Sequence, residues 1–163
     1  MGFIDRFSKM IVEWRGQKYR DRFTRIMSDI EQEKDPQKKL TKQVLLELRG
    51  TLLGGMASST AYMSFKTFYF DKLNSNDEKN RVKETLLQIL RSNEHCISDK
   101  ASASHVCADI VILEAIPEIE KIKRSVKTDS IDGKILDSSL DALMQGKSIT
   151  EVTLDILRQR GEL

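Results

Sequence analysis

The chain has 163 residues, of which 39% are hydrophobic and 32% charged, with two prolines and eight glycines. That length fits one domain with a real core, and the low proline and glycine content excludes a collagenous or loop-rich chain. The net charge of +2 falls short of the basic bias of a dedicated nucleic-acid binder.

The charge is unevenly placed. Residues 1–73 carry 14 Lys/Arg against 9 Asp/Glu, and residues 74–163 carry 13 against 16. A basic half and an acidic half permit weak steering or antiparallel self-association. Helix formers dominate and no long apolar–polar alternation occurs, which predicts an all-α compact bundle of five to six helices in a single domain. Two cysteines without a signal-peptide pattern predict reduced thiols in a cytoplasmic setting. The longest uncharged run, Gly50 to Phe65, is shorter than the ~20 residues of a spanning helix.

In chain order, residues 3–33 are predicted helical, with Gly16 as an available break. Glu33 to Pro36 reads as a turn, with Pro36 at the first position of a helix over about 37–73. Gly54-Gly55 can interrupt that helix. Asn74 to Asp77 reads as a turn that caps a third helix over about 77–96, whose inward face is Val82, Leu86, Ile89 and Leu90. Ser98 to Ser104 is expected to be a polar linker. A fourth helix over about 103–127 is apolar on both sides and therefore central, and Pro117 should kink or divide it. Asp129 to Gly133 reads as a turn. Two short helices, about 134–145 and 149–160, finish the chain. The last carries a Ser148/Glu151 capping box, an Ile149, Val152 and Ile156 stripe, and Gly161 just beyond its end.

The N-terminal segment holds the strongest functional pattern. Phe3, Phe7, Ile11 and Trp14 share one helical arc, while Tyr19, Phe23, Ile26 and Ile30 share another, turned by roughly 140°. Arg15, Lys18, Arg22 and Arg25 run nearly in line with the first arc. One straight helix cannot bury both arcs on the same core. Residues 1–16 are therefore treated as an amphipathic segment, projecting or docked, and 17–163 as the helical bundle. The segment either folds back on its own core, seats in a partner's groove, or lies on anionic lipid.

Three further patterns carry competing readings. Gly50, Gly54, Ala57 and Ala61 form a small-residue face, suited to tight packing within the domain or to a homodimer seam. Phe65, Phe68, Tyr69 and Phe70 concentrate four of the ten aromatics in six residues, as a core or a binding patch. His95, Cys96, His105 and Cys107 are zinc-ligand types, but their spacing places no two on one helical face. Cys96 is expected to be a buried thiol beside Ile89, so no metal and no cofactor is predicted. Ala142, Gly146 and Val152 match positions of a helix-turn-helix. Asp141 and Gln145 stand where apolar residues belong, and Glu151 and Asp155 would repel phosphates. No phosphate-binding glycine loop, metalloprotease helix or nucleophile elbow occurs.

Met1-Gly2 with Arg6-Phe7, and the later Asp35-Pro36-Gln37-Lys38, locally resemble the start of the phage shock protein A family, over the first third of the chain at most. The resemblance implies an amphipathic membrane-sensing helix followed by a long coiled coil. The glycine face, the aromatic cluster and Pro117 do not suit a long coiled hairpin, so the resemblance bears only on the membrane-surface alternative.

The sequence thus predicts a non-catalytic interaction or adaptor protein. It would engage a protein partner through Phe3, Phe7, Ile11 and Trp14, with Arg15, Lys18, Arg22 and Arg25 as a charged rim. The alternatives are a peripheral membrane-surface protein using the same segment, and a DNA-binding protein using the C-terminal helical pair.

Overall fold

The computed structural model describes residues 17, 21, 22, 24–49 and 65–162, and among these it is all-α, with no strand. Eight α-helices appear there rather than five or six: α1 (24–32), α2 (Pro36–Arg49), α3 (Phe65–Phe68), α4 (Asn76–Arg91), α5 (Ile97–Asp109), α6 (Ile116–Lys123), α7 (Ile131–Met144) and α8 (Ile149–Gln159). The 3-10 turn at Phe70–Lys72 ends a segment whose sequence reads as helical to residue 73, and the one at Leu113–Ala115 lies within the run over 103–127, which is divided between α5 and α6. The longest of the helices with described bounds, α4, has 16 residues, so a long coiled hairpin is not the architecture of this region.

The first link follows the expected pattern. Asp35 accepts hydrogen bonds from the backbone N–H groups of Gln37 and Lys38 at 2.8 and 3.0 Å, and Pro36 opens α2 without losing a helical hydrogen bond. Lys42 reaches back to Asp29 at 3.0 Å and Glu33 at 2.9 Å, holding α1 beside α2. The helix expected to reach residue 73 instead gives way at Tyr69 to the turn at Phe70–Lys72. In an unbroken α-helix Phe65 and Phe70 would sit about 140° apart. The tighter turn brings both into the core, where Phe65 also meets Tyr69 edge-on at 5.0 Å.

Ser75 and Glu78 form a capping box at the start of α4, as the turn cluster suggests, and Val82, Leu86, Ile89 and Leu90 are all buried. The helix stops at Arg91 rather than near residue 96 because Ser92 turns extended and its hydroxyl accepts from the Glu94 N–H. The expected linker at Ser98 to Ser104 is helical and lies within α5. Its alanines and serines read as a connector, but they are what allows a helix to be covered on several sides. Ala101, Ala103, Ser104, Cys107 and Ala108 are fully buried, and α5 packs against α2, α3, α4, α7 and α8.

The apolar run over 103–127 is divided, but not at Pro117. The break falls at Ile110 to Ile112, and Pro117 sits in the first turn of α6, where its missing N–H costs nothing. Gly133 belongs to α7 rather than to the preceding turn. A Cβ there would collide with the Lys127 carbonyl, so the close approach of the Ser125–Ser130 turn requires glycine.

Three helix ends share one geometry. The N–H groups of Ile112, Lys147 and Glu162 donate to the carbonyls of Cys107, Ala142 and Leu157, five residues back, at 2.8, 3.1 and 3.0 Å. The residue before each donor is left-handed: Gly146 at φ 64°, Gly161 at φ 69° and Val111 at φ 56°. Glycine suits that conformation, whereas a β-branched side chain is strained there by roughly 1–2 kcal/mol. Inside a helix alanine is more stabilising than glycine; at position 111 the order should invert. Val111→Gly should exceed Val111→Ala in stability by about 1 kcal/mol, read from urea denaturation midpoints. In the same assay Gly133→Ala should lose roughly 1–3 kcal/mol, through overpacking against the Lys127 backbone.

Candidate interaction surfaces

Phe3, Phe7, Ile11, Trp14, Arg15 and Lys18 lie outside the described residues, as do Gly50, Gly54, Ala57 and Ala61. Arg22 and Arg25 are described, and both are exposed. On the same stretch Ile30 is 3% exposed and Ile26 is half-buried. At 100° per residue, Arg22 and Arg25 lie about 80–140° from Ile30. Of the second apolar arc, Ile26 and Ile30 are thus turned inward, and of the basic ladder Arg22 and Arg25 look outward.

A second surface is a groove of about 580 Å³ between the first half of α2, the turn at Tyr69 to Leu73 and the start of α4. Leu40, Tyr69, Leu73 and Val82 supply its apolar wall. Gln37 closes one end by donating through Nε2 to Thr85 Oγ1 at 3.1 Å and to Gln88 Oε1 at 3.0 Å. Two carboxylates and two cations stand on the rim. Asp35 is occupied by the α2 backbone amides, and Glu78 accepts from the N–H groups of Asn74 and Ser75 at 3.0 and 3.2 Å. Lys39 and Arg81 line the same groove with no carboxylate partner among the described residues. Sequence reasoning did not find this groove. Its signal was the spacing of Pro36, Leu40 and Gln43 on one face of α2, but the facing wall comes from residues about thirty to forty positions later.

The histidines and cysteines do not converge. Among the described residues no three His, Cys, Asp or Glu side chains form a group able to hold a metal ion. Cys96 is exposed rather than buried beside Ile89, because α4 ends early and Cys96 takes the position preceding α5. Cys107 is fully buried, and burial pushes its thiol pKa far up, which keeps it protonated. His105 is nearly buried, and desolvation pushes its pKa down to about 4, so it is neutral at pH 7.

The C-terminal pair caps one end of the core. Thr150 donates to Asp109 at 3.2 Å, tying α8 to the end of α5. Burial raises the Asp109 pKa, and the bond from Thr150 opposes that rise. Ile149 and Val152 pack on the core, whereas Ile156, further along the same stripe, is 42% exposed. Ala142 is buried, and Gly146 makes the left-handed turn. Glu151 completes the capping box with Ser148, and Asp155 pairs with Lys147 at 2.8 Å and Arg158 at 3.4 Å. Asp141 and Gln145 are exposed. This geometry builds an α-hairpin whose second helix carries carboxylates where a DNA reader needs cations.

No helix among the described residues is long and apolar enough to cross a membrane. Comparison with protein-family models, with curated proteins and with solved structures found no match to this chain.

The neutral His105 makes stability depend on pH. Its folded pKa lies below the unfolded value, so its contribution is fully present above about pH 6.5 and is lost as pH falls toward 4. Asp109, with a raised folded pKa, acts in the opposite sense and partly offsets that loss. Urea titrations at pH 7 and pH 4.5 should show His105→Gln losing roughly 2 kcal/mol less than the parent protein on acidification.

Proposed function

We propose that this chain is a non-catalytic, all-helical interaction protein that engages a protein partner through its N-terminal segment. Phe3, Phe7, Ile11 and Trp14 are the contact residues, and Arg15, Lys18, Arg22 and Arg25 the charged rim. The outward placement of Arg22 and Arg25, with Ile30 turned to the core, carries this reading. The apolar arc of residues 3–14 falls on the side of Arg22 and Arg25 when the helical phase is continued through Gly16. A basic rim beside an aromatic stripe fits a groove with an acidic border. The same pattern supports, as the alternative, a peripheral protein on an anionic membrane surface.

A photo-crosslinking phenylalanine analogue at position 7 should yield one discrete protein adduct in cells. The adduct should be lost in the Arg22→Glu/Arg25→Glu variant and absent when the analogue replaces exposed Arg124. Co-sedimentation with vesicles separates the alternative. Binding that requires anionic lipid and disappears in Phe7→Glu would replace the adaptor reading with the membrane one.

A further inference from the structure

We infer that α8 is a hinged strap: it opens as one unit at Gly146 while α1 to α7 stay folded, and so uncovers the end of α5 at Asp109. The burial pattern sets α8 apart. Among the described residues it is the one helix of eight residues or more in which no side chain is buried. Its stripe is amphipathic, yet only the first turn of that stripe is engaged. Ile149 and Val152 pack against the core, whereas Leu154 is 37% and Ile156 42% exposed. Little apolar area therefore leaves water when α8 docks, and the docking free energy scales with that area.

The bonds divide in the same way. Among the described residues, the bond from Thr150 to Asp109 at 3.2 Å is the one side-chain bond that joins α8 to the rest of the bundle. The others close within the strap and its hinge: the Ser148/Glu151 capping box, Lys147 to Asp155 at 2.8 Å and Arg158 to Asp155 at 3.4 Å. They support the helix itself and contribute nothing to its docking. The hinge is a left-handed glycine with open space around its Cα, and Lys147 beyond it is held by a single backbone bond to Ala142. Segments with few buried apolar contacts open well below the free energy of global unfolding. A detached helix of 11 residues is marginal in water, so opening releases its backbone hydrogen bonds together. The strap thus gives the protein two forms, one with Asp109 buried and bonded and one with that carboxylate in water. The inference concerns the C-terminal hairpin alone, and its test does not depend on the role of the N-terminal segment.

Amide hydrogen exchange on the 15N-labelled full chain reads the two openings separately. The amides of residues 153–159 should share one protection factor, about 100-fold or more below that of residues 82–90 in α4. Two variants then separate the strap from the frame. Val82→Ala weakens the core on the side of α4 that faces α2, and so destabilises the closed and open forms alike. It should speed exchange in α4 about tenfold and leave α8 unchanged. Thr150→Val removes the donor to Asp109 and destabilises the closed form alone, so exchange in α8 should rise about tenfold. Equal acceleration of α8 and α4 by Val82→Ala would overturn the inference, because α8 would then open only with the whole bundle. Protection that declines steadily from Val152 to Gln159 would also overturn it, by reducing the opening to fraying of the helix end. Protection in α8 equal to that in α4, or no protection in α8 at all, would do the same.

Discussion

A short helix covered on several sides sets the terms for the rest of this structure. α5 has α2, α3, α4, α7 and α8 against it, so its side chains must be small enough to let those neighbours approach. Ala101, Ala103, Ser104 and Ala108 meet that demand. The one polar residue among these four is locally satisfied. Ser104 donates to the Ala101 carbonyl at 2.7 Å, and Ser139 on α7 donates to Ile135 at 2.7 Å, leaving the two hydroxyls 3.3 Å apart at the seam. Each buried hydroxyl thus has a carbonyl partner, which removes the penalty of burying it.

The ends of α5 carry the consequences of that crowding. Its first turn follows the exposed Cys96, and its last turn places Asp109 in a buried position, held by Thr150 from α8. Immediately beyond, Val111 occupies a left-handed turn that two other helix ends assign to glycine. The strain is held in place because Ile112, next in sequence, is buried and donates to the Cys107 carbonyl. The core on both sides of the turn determines its conformation, and the local preference of valine yields.

The surfaces follow from the same frame. Helices around a central one turn their outer faces to solvent, so function has to be sought at grooves between neighbours and at segments beyond the frame. The α2–α4 groove is of the first kind. Arg22 and Arg25 are exposed for the reason that Ile30 is buried: one helical face is committed to α2 and the core, which leaves the opposite one free.

Strong periodicity and local chemistry were legible directly. The all-α class, the inward face of α4, the capping turn at Asn74 to Asp77, the capping box at Ser148, the start of α2 at Pro36 and the glycine beyond α8 are each encoded within a few residues, because caps and amphipathic stripes are local interactions. The outward direction of Arg22 and Arg25 was legible in part, from the offset between two apolar arcs. Other features depended on residues far apart in the chain. The segment at Ser98 to Ser104 looks like a linker until the helices that cover it are in place, since alanine and serine carry little apolar signal of their own. The break at Val111, the turn at Phe70, the exposure of Cys96 and the facing walls of the groove arise from packing between distant elements. By itself the sequence determined where α2, α4 and α8 begin, what class of fold the helices build and which face of α4 is apolar. Tertiary structure decided where the central helix starts and stops and where the long apolar runs divide, because those outcomes depend on the volume and hydrogen bonds available between elements rather than within them.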